Sequence, residues 1–343
     1  MHKPNKSRYT PLMAACGEGH LSAVQRLIEK GADCNASDSA GHTVFYWSCV
    51  GGNVDIIDLL IAKGCDMHKP DNNGKTPLME ECAKGHLSAV QCLIEKGADY
   101  NASDSTGQSV FYWSCVGGNV DIIDLLITKE CDMYKPNKSG KTPLMEACGE
   151  GHLSTVQHLI ENRADYNASD STGQTVFYWS CIGGNVDIIN LLITKGCDMY
   201  KPNKSGKTPL MTACREGHLS AVQRLIEKGA DYNASDLTGH TVFYWSCVGG
   251  NVDIIDLLIE KGCDMYKPNK SGYTPLMAAC GEGHLSAVQR LIEKGADYNA
   301  SDSTGHTVFH WSCIGGNVDI IDLLIEKGCD MHKPNNNGKT PLM

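Results

Sequence analysis

The chain has 343 residues, of which 41% are hydrophobic and 20% charged. Thirty lysines and arginines against forty aspartates and glutamates give a formal net charge of −10, which argues against a nucleic-acid binder, since contact with a phosphate backbone needs basic density. No apolar run is long enough for a membrane-spanning helix, and the opening MHKPNKSRYTPLMAACGEGH lacks the continuous apolar stretch of a secretory leader.

Taken in chain order, the sequence is an array. Thr-Pro-Leu recurs at Thr10, Thr76, Thr142, Thr208, Thr274 and Thr340, and a Val-Phe version falls midway at Thr43, Ser109, Thr175, Thr241 and Thr307. Ten repeats follow from this phase: 7–39, 40–72, 73–105, 106–138, 139–171, 172–204, 205–237, 238–270, 271–303 and 304–336. Residues 1–6 read as the tail of a Val-Phe repeat and 337–343 as the head of a Thr-Pro-Leu repeat. We read the whole as one repeat domain, 1–343, and as a piece of a longer array, because solenoids usually carry polar capping repeats and none is visible.

One repeat, 139–171, gives the local physics. Ser139-Gly140 makes a turn. Thr142 is a good helix N-cap, and Pro143 sits at the first helical position, where its missing N–H costs nothing. Leu144, Met145, Ala147 and Cys148 follow at helical spacing. After the Gly151-His152 break, Leu153, Val156, Leu159 and Ile160 form the apolar stripe of a second helix. The polar remainder returns the chain to the next repeat. Helices this short are marginal alone, so each must bury its stripe on a neighbour. The fold class expected is all-α: a solenoid with two helices and a hairpin-like finger per repeat.

These residues resemble the ankyrin-repeat family. The family pattern stands almost complete in Gly272–Ala300, GYTPLMAACGEGHLSAVQRLIEKGADYNA. The resemblance implies antiparallel helices with projecting fingers, no catalytic chemistry, no cofactor, and a protein partner bound along the fingertips and the concave inner-helix face. Some positions depart from the pattern. Met13, Met79, Met145, Met211 and Met277 replace the family's His after Thr-Pro-Leu, and are expected to lose the hydrogen bonds that it gives between loops. Tyr46, Tyr112, Tyr178, Tyr244 and His310 hold that place in the Val-Phe repeats, where the Tyr hydroxyls are expected to compensate in part. Glu130 and Arg163 replace the Gly that ends the second helix. A non-Gly residue in the left-handed conformation costs about 1 kcal/mol, which predicts a locally weaker array around 130–163.

The polar residues read mainly as structure. Ten of the seventeen cysteines, Cys16 through Cys313, share one position where the family has a small buried residue, and five more replace an Ala. No metal-ligand spacing occurs, so no metal is expected, and buried reduced thiols in the cytoplasm are the simplest reading. His20, His86, His152, His218 and His284 share the Gly-His turn. Pairs such as Asp55/Asp58 suit the start of a helix dipole rather than acid–base work. The Gly-Gly pairs lack the flanks of a phosphate loop. The singletons Cys34, Cys92, His158, Arg215 and Leu237 form no constellation.

Two rows are candidates for partner binding. Trp47, Trp113, Trp179, Trp245 and Trp311 all lie mid-way along a first helix. They serve either as anchors in a groove or, on the reading we favour, as packing that fills space left by small neighbours. Fingertip position 3 varies most: Tyr9, His42, Lys75, Gln108, Lys141, Gln174, Lys207, His240, Tyr273 and His306. It is either a partner-facing tip or an unconstrained one. The resemblance also matches Asn35, Asn101, Asn167, Asn233 and Asn299 to a hairpin Asn that asparaginyl hydroxylases modify. The function expected is a protein-interaction scaffold. The alternative is an array that self-associates end to end through uncapped repeats.

Overall fold

The computed structural model describes residues 4–341. Twenty helices account for the regular structure among them, two per repeat. The chain divides into two compact bodies, Met1–Ser171 and Thr172–Met343.

In the first body the opening helices of successive repeats are α1 (Pro11–Gly17), α3 (Val44–Gly51), α5 (Pro77–Lys84), α7 (Val110–Gly117) and α9 (Pro143–Glu150). Their partners are α2 (Leu21–Glu29), α4 (Val54–Ala62), α6 (Leu87–Glu95), α8 (Val120–Thr128) and α10 (Leu153–Glu161). The second body repeats the order with opening helices α11 (Val176–Gly183), α13 (Pro209–Arg215), α15 (Val242–Gly249), α17 (Pro275–Gly281) and α19 (Val308–Gly315). Each is followed by its partner: α12 (Val186–Thr194), α14 (Leu219–Glu227), α16 (Val252–Glu260), α18 (Leu285–Glu293) and α20 (Val318–Glu326). Within each body, first helices pack on first helices of the adjoining repeats and second on second. The expected all-α solenoid of stacked helix pairs is what forms, and the buried stripes, such as Ile56, Ile57 and Leu60, have no exposure at all.

The Thr-Pro-Leu start works as its residues predict. Thr10 is extended, and its hydroxyl accepts from Met13 N at 3.2 Å. Met13 Sδ accepts from Thr10 N at 3.4 Å and so returns the reciprocal half of a capping box within its own repeat, which is not a bond between loops. Met79, Met145, Met211 and Met277 do the same. His310 adds the bond between loops as well, its Nε2 lying 3.3 Å from the Lys339 carbonyl.

The Gly-Gly pairs have two separate causes. At Gly51 and Gly117 a Cβ would overlap the carbonyl oxygens of Cys16 and Cys82 on the preceding first helix. Gly52 ends its helix in the left-handed region at φ 64, where only glycine sits without strain. Asn53 then starts the second helix. Its Oδ1 accepts from Asp55 N and Ile56 N, while its Nδ2 donates to Gly19 O of the preceding repeat at 3.2 Å. Asn119, Asn251 and Asn317 repeat this reach at 3.0 Å.

Fingers are joined by main-chain bonds, for example Ser39 N to Ser7 O at 2.9 Å and Asn72 N to Ala40 O at 3.0 Å. Isolated antiparallel bridges such as Ser37 to Thr43 mark the hairpins. Glu130 and Arg163 do take up positive φ, at 59 and 68, as does Arg8 at 60. All seventeen cysteines are free, and all but Cys34, Cys313 and Cys329 are buried.

Candidate functional site

Within each body the two candidate rows meet, and the structure interlocks them. Every tryptophan of the row is half-buried. The indole N–H is held by an aspartate from the preceding finger: Trp47 donates to Asp38, Trp113 to Asp104, Trp245 to Asp236 and Trp311 to Asp302, at 3.2 to 3.3 Å. A position-3 residue of the preceding Thr-Pro-Leu repeat covers the ring. Tyr9 meets Trp47 edge-on at 4.8 Å between centroids, and Tyr273 meets Trp311 at 4.5 Å. Lys75 Nζ lies 3.8 Å above the centre of Trp113, and Lys207 Nζ 3.4 Å above Trp245. These are cation–π contacts.

Position 3 is thus no free fingertip. Tyr9, Lys75, Lys141, Lys207 and Tyr273 are half-buried, as are His42, Gln108, Gln174, His240 and His306 in the Val-Phe repeats. His42 stacks on Tyr46 and sits 3.1 Å from Asp38. Burial pushes the Asp38 carboxyl up, but hydrogen bonds from His42 and Ala40 outweigh it and hold the group below its ordinary range.

Beneath the tryptophans lies a polar layer that sequence reasoning missed. Tyr46 donates to Glu80 Oε2 at 2.8 Å, and Lys75 Nζ meets the same oxygen at 2.6 Å. Burial raises the Glu80 carboxyl, yet Lys75 and Tyr46 together leave it lowered. Tyr112, Glu146 and Lys141 repeat this arrangement. The Tyr hydroxyls therefore do form contacts between repeats here, as expected in part. The available signal was a pairing within the repeat: Lys at position 3 accompanies Glu at position 8 in 73–105 and 139–171, whereas Tyr accompanies Ala14 and Ala278 in 7–39 and 271–303.

Glu81 was also missed. It replaces the alanine found at the matching place in the other Thr-Pro-Leu repeats, and its side chain is fully buried. Oε2 lies 2.8 Å from His86 Nδ1, and Oε1 has no hydrogen-bond partner. His86 is turned toward this carboxylate. The equivalent His152, His218 and His284 instead place Nε2 2.8 to 2.9 Å from Val116, Ile182 and Val248 carbonyls. A carbonyl only accepts, so these rings donate from Nε2 and lock one repeat to the preceding helix end.

The second helices carry a further ladder between repeats. Arg290 grips Asp256 with two bonds of 2.6 and 2.7 Å. Arg224 meets Asn190 at 2.6 Å, His158 Nε2 lies 2.6 Å from Asp124, and Cys92 reaches Asp58 at 3.6 Å. Two of the singletons thus occupy the arginine's place in this ladder. Asn35, Asn101, Asn167, Asn233 and Asn299 are all exposed, each with its backbone N–H on the aspartate two residues earlier at 2.8 to 2.9 Å.

Cavities recur under the finger tails, at Met133, Tyr134 and Leu144 and again at the equivalent residues near Tyr200 and Tyr266. Their volumes of about 50, 60 and 170 Å³ are below the range of small-molecule sites, roughly 300–1,000 Å³. Among the described residues no cluster of three or more His, Cys, Asp or Glu side chains could hold a metal, and no helix is long and apolar enough to cross a membrane.

Comparison with known proteins agrees with this geometry. No curated protein matches the chain. The family model described as ankyrin repeats (3 copies) matches residues 12–104, 79–170, 162–236, 233–302 and 298–343. With the repeat phase, the stacked helix pairs and this match spanning nearly every residue, the chain belongs to the ankyrin-repeat family.

Proposed function

We infer that this chain is a non-catalytic scaffold that binds a protein partner along its first helices and finger loops. Ankyrin repeats are protein-interaction modules, and the observation that carries the reading here is the half-buried tryptophan on the first helix of every Val-Phe repeat. An aspartate anchors the indole and a Lys or Tyr flanks the ring, so most of the ordering cost is met before a partner arrives. Such rings pack and anchor at once. The test replaces Trp47, Trp113, Trp179, Trp245 and Trp311 by leucine and compares the proteins retained by the two arrays. A folded variant that retains the same partners in the same amounts overturns the reading.

A second reading has its own observation. Ile314, Val318 and Ile325 of the last repeat are exposed at 62%, 65% and 43%. The equivalent places in earlier repeats lie beside the next repeat, so this face suits another Thr-Pro-Leu repeat, including one from a second copy. Light scattering that shows a constant monomer mass over a wide concentration range removes self-association. Seventeen free thiols favour a reducing compartment, in keeping with a cytoplasmic location. The exposed Asn35 row is the proposed hydroxylation site. A native-source intact mass without added oxygen rejects that assignment.

A further inference from the structure

The Thr-Pro-Leu repeats keep positions 3 and 8 matched in charge, with one exception. Lys75 has Glu80 and Lys141 has Glu146; Tyr9 and Tyr273 stand with Ala14 and Ala278. In 205–237 the lysine remains, as Lys207, but the carboxylate is gone and Thr212 takes its place.

The surroundings of the missing group are otherwise complete. Lys207 Nζ is held 3.4 Å above the Trp245 ring, and among the described residues no carboxylate takes the place that Glu80 holds beside Lys75. Thr212 is 2% exposed and supplies no charge where Glu80 and Glu146 supply one. Tyr178 stands where Tyr46 and Tyr112 stand; burial raises its hydroxyl, against a hydrogen bond with Thr212 and the Arg215 charge. Arg215 occupies a place that is Gly or Ala in the other four Thr-Pro-Leu repeats, and adds a second cation. Nearby acids are already engaged: Asp236 accepts from Trp245 Nε1 at 3.3 Å and from His240 N at 3.0 Å, and Glu216 pairs with Arg215 at 3.4 Å. Burial, with Arg215 next, pulls the Lys207 ammonium down to about 8, as expected for a lysine whose counter-ion has been removed.

We propose that the first-helix face at repeat 205–237 is a docking place for a glutamate or aspartate side chain of a protein partner. Its carboxylate fills the position that Glu80 and Glu146 fill in the equivalent repeats, between Lys207, Arg215 and the Tyr178 hydroxyl. Charge complementarity selects the occupant: the Lys207 and Arg215 charges act on each other, and Arg215 on Tyr178, where an anion is built in elsewhere. The proposal deepens the interaction-scaffold reading and rests on it for the partner's being a protein.

The test needs no partner. The full chain is labelled with limiting acetic anhydride, and each lysine is read by peptide mass spectrometry. Lys207 reacts at least about threefold faster in the native chain than after Thr212→Glu, because burial without a counter-ion leaves more of it unprotonated. N-acetyl-glutamate N-methylamide, at constant ionic strength, slows Lys207 by about twofold or more by pairing with it and leaves Lys75 unchanged, while sulfate protects neither. Thr212→Glu, which recreates the Lys–Glu arrangement of repeats 73–105 and 139–171, slows Lys207 and abolishes protection. Unchanged labelling in the presence of the probe, equal protection by sulfate, or persistent protection in a folded T212E protein would each overturn the proposal. Failure of the five-tryptophan comparison would leave this result standing, and the reverse also holds.

Discussion

Glu81 Oε2 lies 2.8 Å from His86 Nδ1 in a fully buried place between two repeats, and the carboxylate's other oxygen meets nothing. Burial pushes the Glu81 carboxyl up to about 7, against the opposing pull of His86 and Cys49. The hydrogen bond to Glu81 raises His86. Both groups thus bind protons more tightly when folded. Their contribution is fully present below the ordinary carboxyl range and falls as pH rises through 7. Glu81→Ala, which restores the residue of the sister repeats, is expected to stabilise the array at pH 8 by about 1–3 kcal/mol, the cost of an unsatisfied buried polar group. It also flattens the pH dependence between pH 5 and 8. Urea unfolding across that range measures both effects, and an unchanged slope counts against this account.

The two left-handed non-glycine residues give the opposite kind of test. Glu130→Gly and Arg163→Gly should each stabilise by up to about 1 kcal/mol, less the extra freedom that glycine gains on unfolding. Hydrogen exchange of the flanking helix ends should slow accordingly. Equal protection in native and substituted chains would show that positive φ is not the weak point.

Close approach of first helices sets a different limit. Gly117→Ala places a Cβ onto the Cys82 carbonyl oxygen, and backbone cannot step aside as a flexible side chain does. A loss of about 1–3 kcal/mol follows from overpacking, read as a lower urea midpoint. Gly64→Ala, at a φ of 77 but with open space around it, separates dihedral strain from collision and should cost less.

The Arg290–Asp256 pair predicts a salt-sensitive effect. Asp256→Asn should lower stability at low ionic strength, and the difference should shrink as salt screens the exposed partner. Thermal melts at two salt concentrations measure it. A difference that does not change with salt would assign the loss to hydrogen bonding alone.

The fold was legible because period and helix signals agree: Thr10 with Pro11 starts a helix wherever the motif recurs, and Val24 or Ile56 recurs on one stripe. The site was legible only in part. The tryptophans form a visible row, but the Tyr9–Trp47 and Lys207–Trp245 contacts join separate repeats, and no local periodicity encodes them. Cys92 and His158 read as strays until the structure placed them opposite Asp58 and Asp124. Glu81 carried a signal, an acid where sister repeats have alanine, but its meaning depended on burial that sequence alone does not display. The methionines show the limit of analogy: a thioether completes at Thr10 the cap that the His310 imidazole completes at Thr307.

The asparagine at the head of each Val-Phe second helix has a consequence for how the array melts. Asn53 caps its own helix with Oδ1 and holds the Gly19 carbonyl with Nδ2. When the earlier repeat frays, that side chain loses the hook that fixes its rotamer, and the helix behind it loses a well-set cap. Disorder entering from the amino-terminal side is thereby handed forward, so neighbouring repeats come apart in concert like linked teeth, not as independent beads.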